Sequence, residues 1–156
     1  MASARELANA MIELYKKNNW NYDFDEEKNL LTSKTSIEKG KLKNCMYYVQ
    51  FLENRIQTYA VLDDFKVDEE NRLKAAEYIC RTNYSRLAVG CLQIDMNDGE
   101  IRYQYTLDCA GIPDEELLSN SQVFPASVYG WAGDGLLAVI YGFMTPEEAV
   151  EMGKEN

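Results

Sequence analysis

The chain has 156 residues, 46% hydrophobic and 27% charged, a balance that fits a folded globular protein and excludes a disordered one. Its formal net charge is −10 and it contains no histidine. The acidity argues against wrapping nucleic acid or an anionic membrane, which both call for a basic footprint, and the missing histidine removes the commonest general base and metal ligand.

Ser3 to Lys17 reads as a first helix, with Leu7, Ala10, Met11, Leu14 and Tyr15 on one stripe and Asn18-Asn19 ending it. Trp20, Tyr22 and Phe24 alternate with polar residues, as in a short extended piece, and Asp25-Glu26-Glu27 is an acidic turn. Leu30–Ile37 reads as a strand and Lys39-Gly40-Lys41 as the turn after it. Cys45–Leu52 and Ile56–Leu62 form a hairpin about Glu53-Asn54. One face of that hairpin collects Cys45, Tyr47, Val49, Phe51, Ile56, Thr58, Ala60 and Leu62. The opposite face mixes Met46, Tyr48, Gln50, Arg55, Gln57, Tyr59 and Val61. Such a mixture suits either a helix-covered surface or a contact surface.

Asp68 is the expected N-cap of a second helix, with Glu69 and Glu70 at the positive end of its dipole. Leu73, Ala76, Ile79, Cys80 and Asn83 fall at helical spacing, and Asn83 and Tyr84 end it. Asp98-Gly99 is a favoured two-residue turn, placing Ile94 opposite Tyr103 and Leu92 opposite Tyr105. Pro113-Asp114-Glu115-Glu116 opens a helix, and Pro125 starts a separate, longer one through about Phe143. Gly130, Gly133 and Gly135 within it mark a kink, a break or close packing. Thr145-Pro146-Glu147-Glu148 is a capping box that opens a short last helix through Met152.

Chemistry-bearing patterns are weak. Cys45, Cys80, Cys91 and Cys109 form no CxxC pair and read as reduced core residues of a cytoplasmic protein. No apolar run reads as a bilayer span, and the N-terminus lacks the apolar core of a signal peptide. The acidic turn lacks the glycine and spaced ligands of a calcium loop. The Gly130–Gly135 run lacks the Gly-Lys-Ser/Thr ending of a phosphate loop. Asp63-Asp64 and Asp68-Glu69-Glu70 are explained by a solvated loop and a helix start. No catalytic residue, metal site or cofactor site is expected.

The helix–strands–helix–strands–helices order resembles the YbjN family and, more broadly, the fold of type III secretion chaperones. The residues that carry the resemblance are Val67 with Asp68-Glu69-Glu70-Asn71-Arg72, then Arg81, Asn83, Tyr84 and Gly90. Asp98-Gly99-Glu100, Ile101-Arg102-Tyr103 and Thr145-Pro146-Glu147-Glu148-Ala149 continue it. The resemblance implies a sensory-transduction regulator with no catalytic residues to carry over, and a fold that commonly dimerises.

The expected fold is α+β, one domain over 1–156, with a single five-stranded antiparallel sheet, an N-terminal helix and C-terminal helices. The expected function is non-catalytic protein binding. Tyr48, Gln50, Arg55, Gln57 and Tyr59 form the contact face for an unidentified protein partner or a second copy of the chain. The alternative is a small-molecule binder or enzyme with a carboxylate or tyrosine pocket between sheet and helices.

Overall fold

Ser3 begins the first helix by accepting from the Glu6 N–H while the Glu6 carboxylate accepts from the Ser3 N–H, a reciprocal capping box. The computed structural model describes residues 1–154. From this cap α1 runs over Ala4–Lys17, and Leu7, Ala8, Met11, Leu14 and Tyr15 are its buried residues. The sheet follows with β1 (Asp23–Asp25), β2 (Leu30–Ser36), β3 (Asn44–Leu52) and β4 (Arg55–Lys66). α2 (Arg72–Arg86) then precedes β5 (Cys91–Ile94) and β6 (Glu100–Asp108), and α3 (Glu115–Ile140) and α4 (Pro146–Lys154) close the chain.

The described residues form one antiparallel sheet of six strands in the order β1-β2-β3-β4-β6-β5. The sixth strand, beyond the five expected, is β1, where Phe24 pairs with Leu31. Helices α1 and α3 cover the face that carries Tyr47, Val49, Phe51, Ile56, Ala60, Ile101 and Tyr103, and this is the core. Helix α2 lies along β5, and α4 packs on α2 and α3.

The β3–β4 hairpin forms as expected. Leu52 faces Arg55 across Glu53-Asn54, and Asn54 takes φ 56°, a left-handed value that asparagine tolerates. The second hairpin differs. Ile94 pairs with Ile101 and Leu92 with Tyr103, two residues from the expected register. The Asp95 carbonyl accepts from the Gly99 N–H at 2.7 Å, so the loop spans Met96–Gly99. The Asp95 and Asp98 carboxylates stabilise that wider loop by accepting from the N–H groups of Asn97 and Glu100. A two-residue shift keeps both faces intact, which is why the alternation alone could not detect it.

Asp68 caps nothing with its side chain. A single 3₁₀ turn, Glu69–Asn71, intervenes before α2 starts at Arg72, and α2 ends at Arg86 rather than at Asn83 or Tyr84. The helix also turns a different side inward: Ala75, Tyr78, Ile79 and Thr82 are buried, whereas Leu73 is 77% exposed and Cys80 is exposed. Tyr78 decides this rotation, because its hydroxyl donates to the Ala132 carbonyl and its ring occupies the space that Gly135 leaves open. Cys45 and Cys109 are buried as expected, but Cys91 is only half-buried, so the reduced-core reading holds for two of the four cysteines.

The break expected before Pro125 is absent. α3 is one helix of 26 residues with Pro125 inside it, begun by the Asp114 carboxylate accepting from the Leu117 N–H. Its glycines serve close packing: a side chain at Gly133 would meet Leu42, and one at Gly135 would meet Tyr78. α3 is also long and apolar enough to cross a membrane by length and composition, contrary to the sequence expectation. Here it lies across the sheet, and Gln122 and Tyr129 on its buried side bond to β4.

Gly99 combines a φ of 83° with main-chain contact: its carbonyl accepts from the Val67 N–H at 2.9 Å, and a Cβ there would lie on the Val67 carbonyl oxygen. Gly99→Val is therefore expected to destabilise the protein by about 3 kcal/mol. An unchanged chemical-denaturation midpoint would show that this junction tolerates a side chain.

Candidate functional site

Two surfaces correspond to the two functional expectations, the space between sheet and helices and the open face of the sheet. The first is filled at its centre. Gln122 on α3 sits at its centre, 3% exposed. Its side-chain carbonyl accepts from the Tyr15 hydroxyl at 2.8 Å, and its amide donates to the Thr58 hydroxyl at 3.0 Å. Tyr129 donates to the Ala60 carbonyl at 2.6 Å.

Tyr47 does something more specific. Pro125 has no N–H for the Ser121 carbonyl, and its ring crowds that turn of the helix. The Tyr47 hydroxyl enters the next rung. It donates to the Gln122 carbonyl at 2.6 Å and accepts from the Ala126 N–H at 2.9 Å. Those two groups would bond each other in an undisturbed helix, so the tyrosine hydroxyl splices the ladder across the proline.

Burial pushes Tyr15, Tyr47, Tyr103 and Tyr129 well above the ordinary phenol value and raises Tyr78, and it pushes the Cys45 thiol up to about 12, with the charge of Asp63 adding to the effect. Neutral hydroxyls donating to carbonyls are a structural arrangement, and a thiol so raised is a poor nucleophile at neutral pH. Among the described residues no group of three or more Cys, Asp and Glu side chains is placed to hold a metal ion.

The open face is built by period-two alternation on the same strands. Tyr48 stands opposite Tyr59, Gln50 opposite Gln57, and Arg55 opposite Asp108 on β6. All five residues expected at the contact face therefore share one side of the sheet, and the packed helices lie on the other side or along its β5 edge. Tyr48, Gln50, Gln57 and Tyr59 are half-buried by their neighbours and Arg55 is exposed. Arg55 pairs with the Asp108 carboxylate at 2.7 Å, and Gln50 donates to the Lys28 carbonyl at 2.7 Å.

Three members of this face were missed by sequence reasoning. Arg102 stacks its guanidinium over Tyr59 at 4.6 Å and donates to the Gln93 side chain at 2.6 Å. Gln93 in turn donates to Gln104 at 3.0 Å. The alternation put Gln93, Arg102 and Gln104 together on one face of the second hairpin. That this face continues the Tyr48–Tyr59 face follows only from β4 pairing with β6, with no local sequence signal.

The architecture defines an α+β protein with one helix-covered and one open sheet face, a YbjN-like fold. It is similar to the crystal structure of YbjN, described as a proposed transcription regulator from E. coli, with a TM-score of 0.61 over 86% of this chain and 92% of that one. Identity is 11%, so the likeness is one of fold. No protein-family model and no curated protein matches the sequence.

Two outcomes follow from the interior. In the unfolded chain tyrosines ionise near the ordinary value of 10.0, while the five buried ones hold their protons to higher pH. The unfolded state then binds fewer protons, so this stability contribution is constant below pH 10.0 and falls above it. Phenolate absorbance should show these tyrosines titrating only with cooperative unfolding; early, non-cooperative titration of all eleven tyrosines would contradict it. Tyr47→Phe should cost about 1–3 kcal/mol, and less in a Pro125→Ala background, where the ring no longer holds the rung open. Equal costs in both backgrounds would mean that the hydroxyl does not compensate for the proline.

Proposed function

We propose that this chain is a non-catalytic protein-binding module, a cytoplasmic regulator or chaperone-like protein of the YbjN type. The observation that carries the reading is the uncovered sheet face of Tyr48, Gln50, Arg55, Gln57 and Tyr59, extended by Arg102. Aromatic rings flanked by arginine and amides supply contact area at low entropy cost together with adaptable hydrogen bonds. Among the described residues no hydrogen bond engages the hydroxyl of Tyr48 or Tyr59, which leaves both for a partner. The filled interior counts against the small-molecule alternative, since buried tyrosines and Gln122 occupy the space where a pocket would lie. The face also suits a second copy, because the Tyr48–Tyr59 pairs of two molecules can pack across a two-fold axis.

A photo-crosslinking amino acid at position 48, compared with one at exposed Lys16 on α1, tests the reading. A discrete protein adduct at 48 alone is expected, lost when Tyr59→Ala and Arg102→Ala are added. Sedimentation at micromolar concentration shows whether the adduct partner is a second copy, which Tyr48→Ala plus Tyr59→Ala should release as monomer. No adduct at position 48 and a monomer at every concentration would remove the open face as a binding surface.

A further inference from the structure

β6 has nine residues and β5 only four, and the two pair from Ile101 to Gln104. The chain is turned away from β6 at Gly90, where φ is 67° and a side chain would collide with the Gln104 carbonyl and the Tyr103 hydroxyl. Past Gln104, β6 therefore continues with no neighbour on that side.

Antiparallel geometry fixes which groups are left over. Leu92 turns its main chain outward to the Asn83 amide, so Cys91 and Gln93 turn theirs to Gln104 and Arg102. Two residues on from Gln104, Thr106 directs its N–H and carbonyl the same way, and Asp108 follows. Tyr105 and Leu107 direct theirs to β4. Among the described residues no hydrogen bond reaches the main chain of Thr106 or Asp108 from that side, and both residues are exposed.

On the helix-facing side, this notch opens into an apolar groove of about 300 Å³ lined by Val89, Tyr105, Asn120, Val123, Phe124 and Ser127. Val89 is 45% and Val123 52% exposed. On the other side stands the Asp108 carboxylate, held at 2.7 Å from Arg55, and exposed Glu116 lies one helical turn before Asn120.

We propose that this notch takes up an extended, basic peptide segment by strand addition beside β6. The segment's main chain pairs with Thr106 and Asp108, an apolar side chain enters the groove, and alternate basic side chains lie on the open face near Asp108. The notch is set back behind β5 by one strand spacing, roughly 4.8 Å. That step holds off the sheet edge of a folded partner, a second copy included, and admits a single strand. Charge selects a basic segment, because the protein carries −10. The site is separate from the Tyr48–Tyr59 surface and does not rest on its role.

The probe is a fluorescent peptide of alternating lysine and valine, titrated by anisotropy. Saturable binding is expected, with none for the glutamate–valine counterpart. Thr106→Pro removes the N–H that faces the notch at a strand edge, where proline is tolerated. Val123→Glu places a charge in the groove at a half-exposed position, so it keeps the test valid if the proline variant misfolds. Each should weaken binding by about tenfold or more, while Tyr48→Ala plus Tyr59→Ala leaves it unchanged. No saturable binding, or wild-type affinity in Val123→Glu, overturns the proposal. So does a loss confined to the Tyr48 and Tyr59 variant, which would move the peptide to the open face.

Discussion

The hydroxyl of Tyr47 holds the two halves of α3 together. A proline in the middle of a helix costs about 3 kcal/mol or more, through a missing donor and a steric clash. Glycines at 130, 133 and 135 add further backbone cost. Left to local preference, the segment would divide at Pro125. It does not divide because β3 delivers a phenol to the damaged rung, giving the Gln122 carbonyl a donor and the Ala126 N–H an acceptor. The rest of the layer follows from that contact. With α3 continuous, Gln122 reaches both Tyr15 and Thr58, Tyr129 reaches Ala60, and Gly135 arrives where Tyr78 needs room.

Much of the fold was legible, and the boundary between legible and hidden features is physical. The Glu53-Asn54 turn, the alternation of β3 and β4, and the capping box at Thr145 are encoded within a few residues, and each formed as read, whereas the cap expected at Asp68 did not. The continuity of α3 was hidden because its cost is local while its compensation comes from Tyr47, far away in the chain. The rotation of α2 was hidden because two overlapping stripes satisfy helical spacing, and only the reach of Tyr78 to Ala132 selects between them. At the open face, Tyr48, Gln50, Arg55, Gln57 and Tyr59 could be grouped from period two alone. Arg102 could not be added without knowing that β6 pairs with β4, a long-range choice that no single segment encodes.

Several of the residues that carry the resemblance meet in space. Arg72 donates to the carbonyls of Val67, Met96 and Asn97, Lys66 pairs with Asp98, and Gly99 and Val67 share main-chain contact. Nearby, Asn83 bonds both main-chain groups of Leu92, and Gly90 packs under Tyr103. These are junctions where the end of β4, the start of α2 and the β5–β6 hairpin cross, and they depend on particular side chains. The strand interiors between them need only alternation and volume, which many sequences supply.

The two faces of the sheet treat their tyrosines in opposite ways, and its edges show the same contrast. Beneath the helices each fully buried tyrosine hydroxyl has a carbonyl to donate to, as burial demands. On the open face Tyr48 stands opposite Tyr59, whose ring lies under Arg102, and among the described residues neither hydroxyl is hydrogen-bonded. At the edges, β1 is three residues long and flanks Phe24 with Asp23 and Asp25, which blunts pairing. β5 is sealed by Asn83, whose amide stands in for a neighbouring strand. The stretch of β6 beyond Gln104 has neither protection. Its Thr106 and Asp108 main chain lies beside an apolar groove rather than behind a charge or a proline. Short length and a bonded asparagine show that this chain controls pairing where pairing would be harmful. A step too narrow for another sheet is a place where leaving an edge open carries little risk of edge-to-edge aggregation, and so a place where it can be kept for a ligand strand.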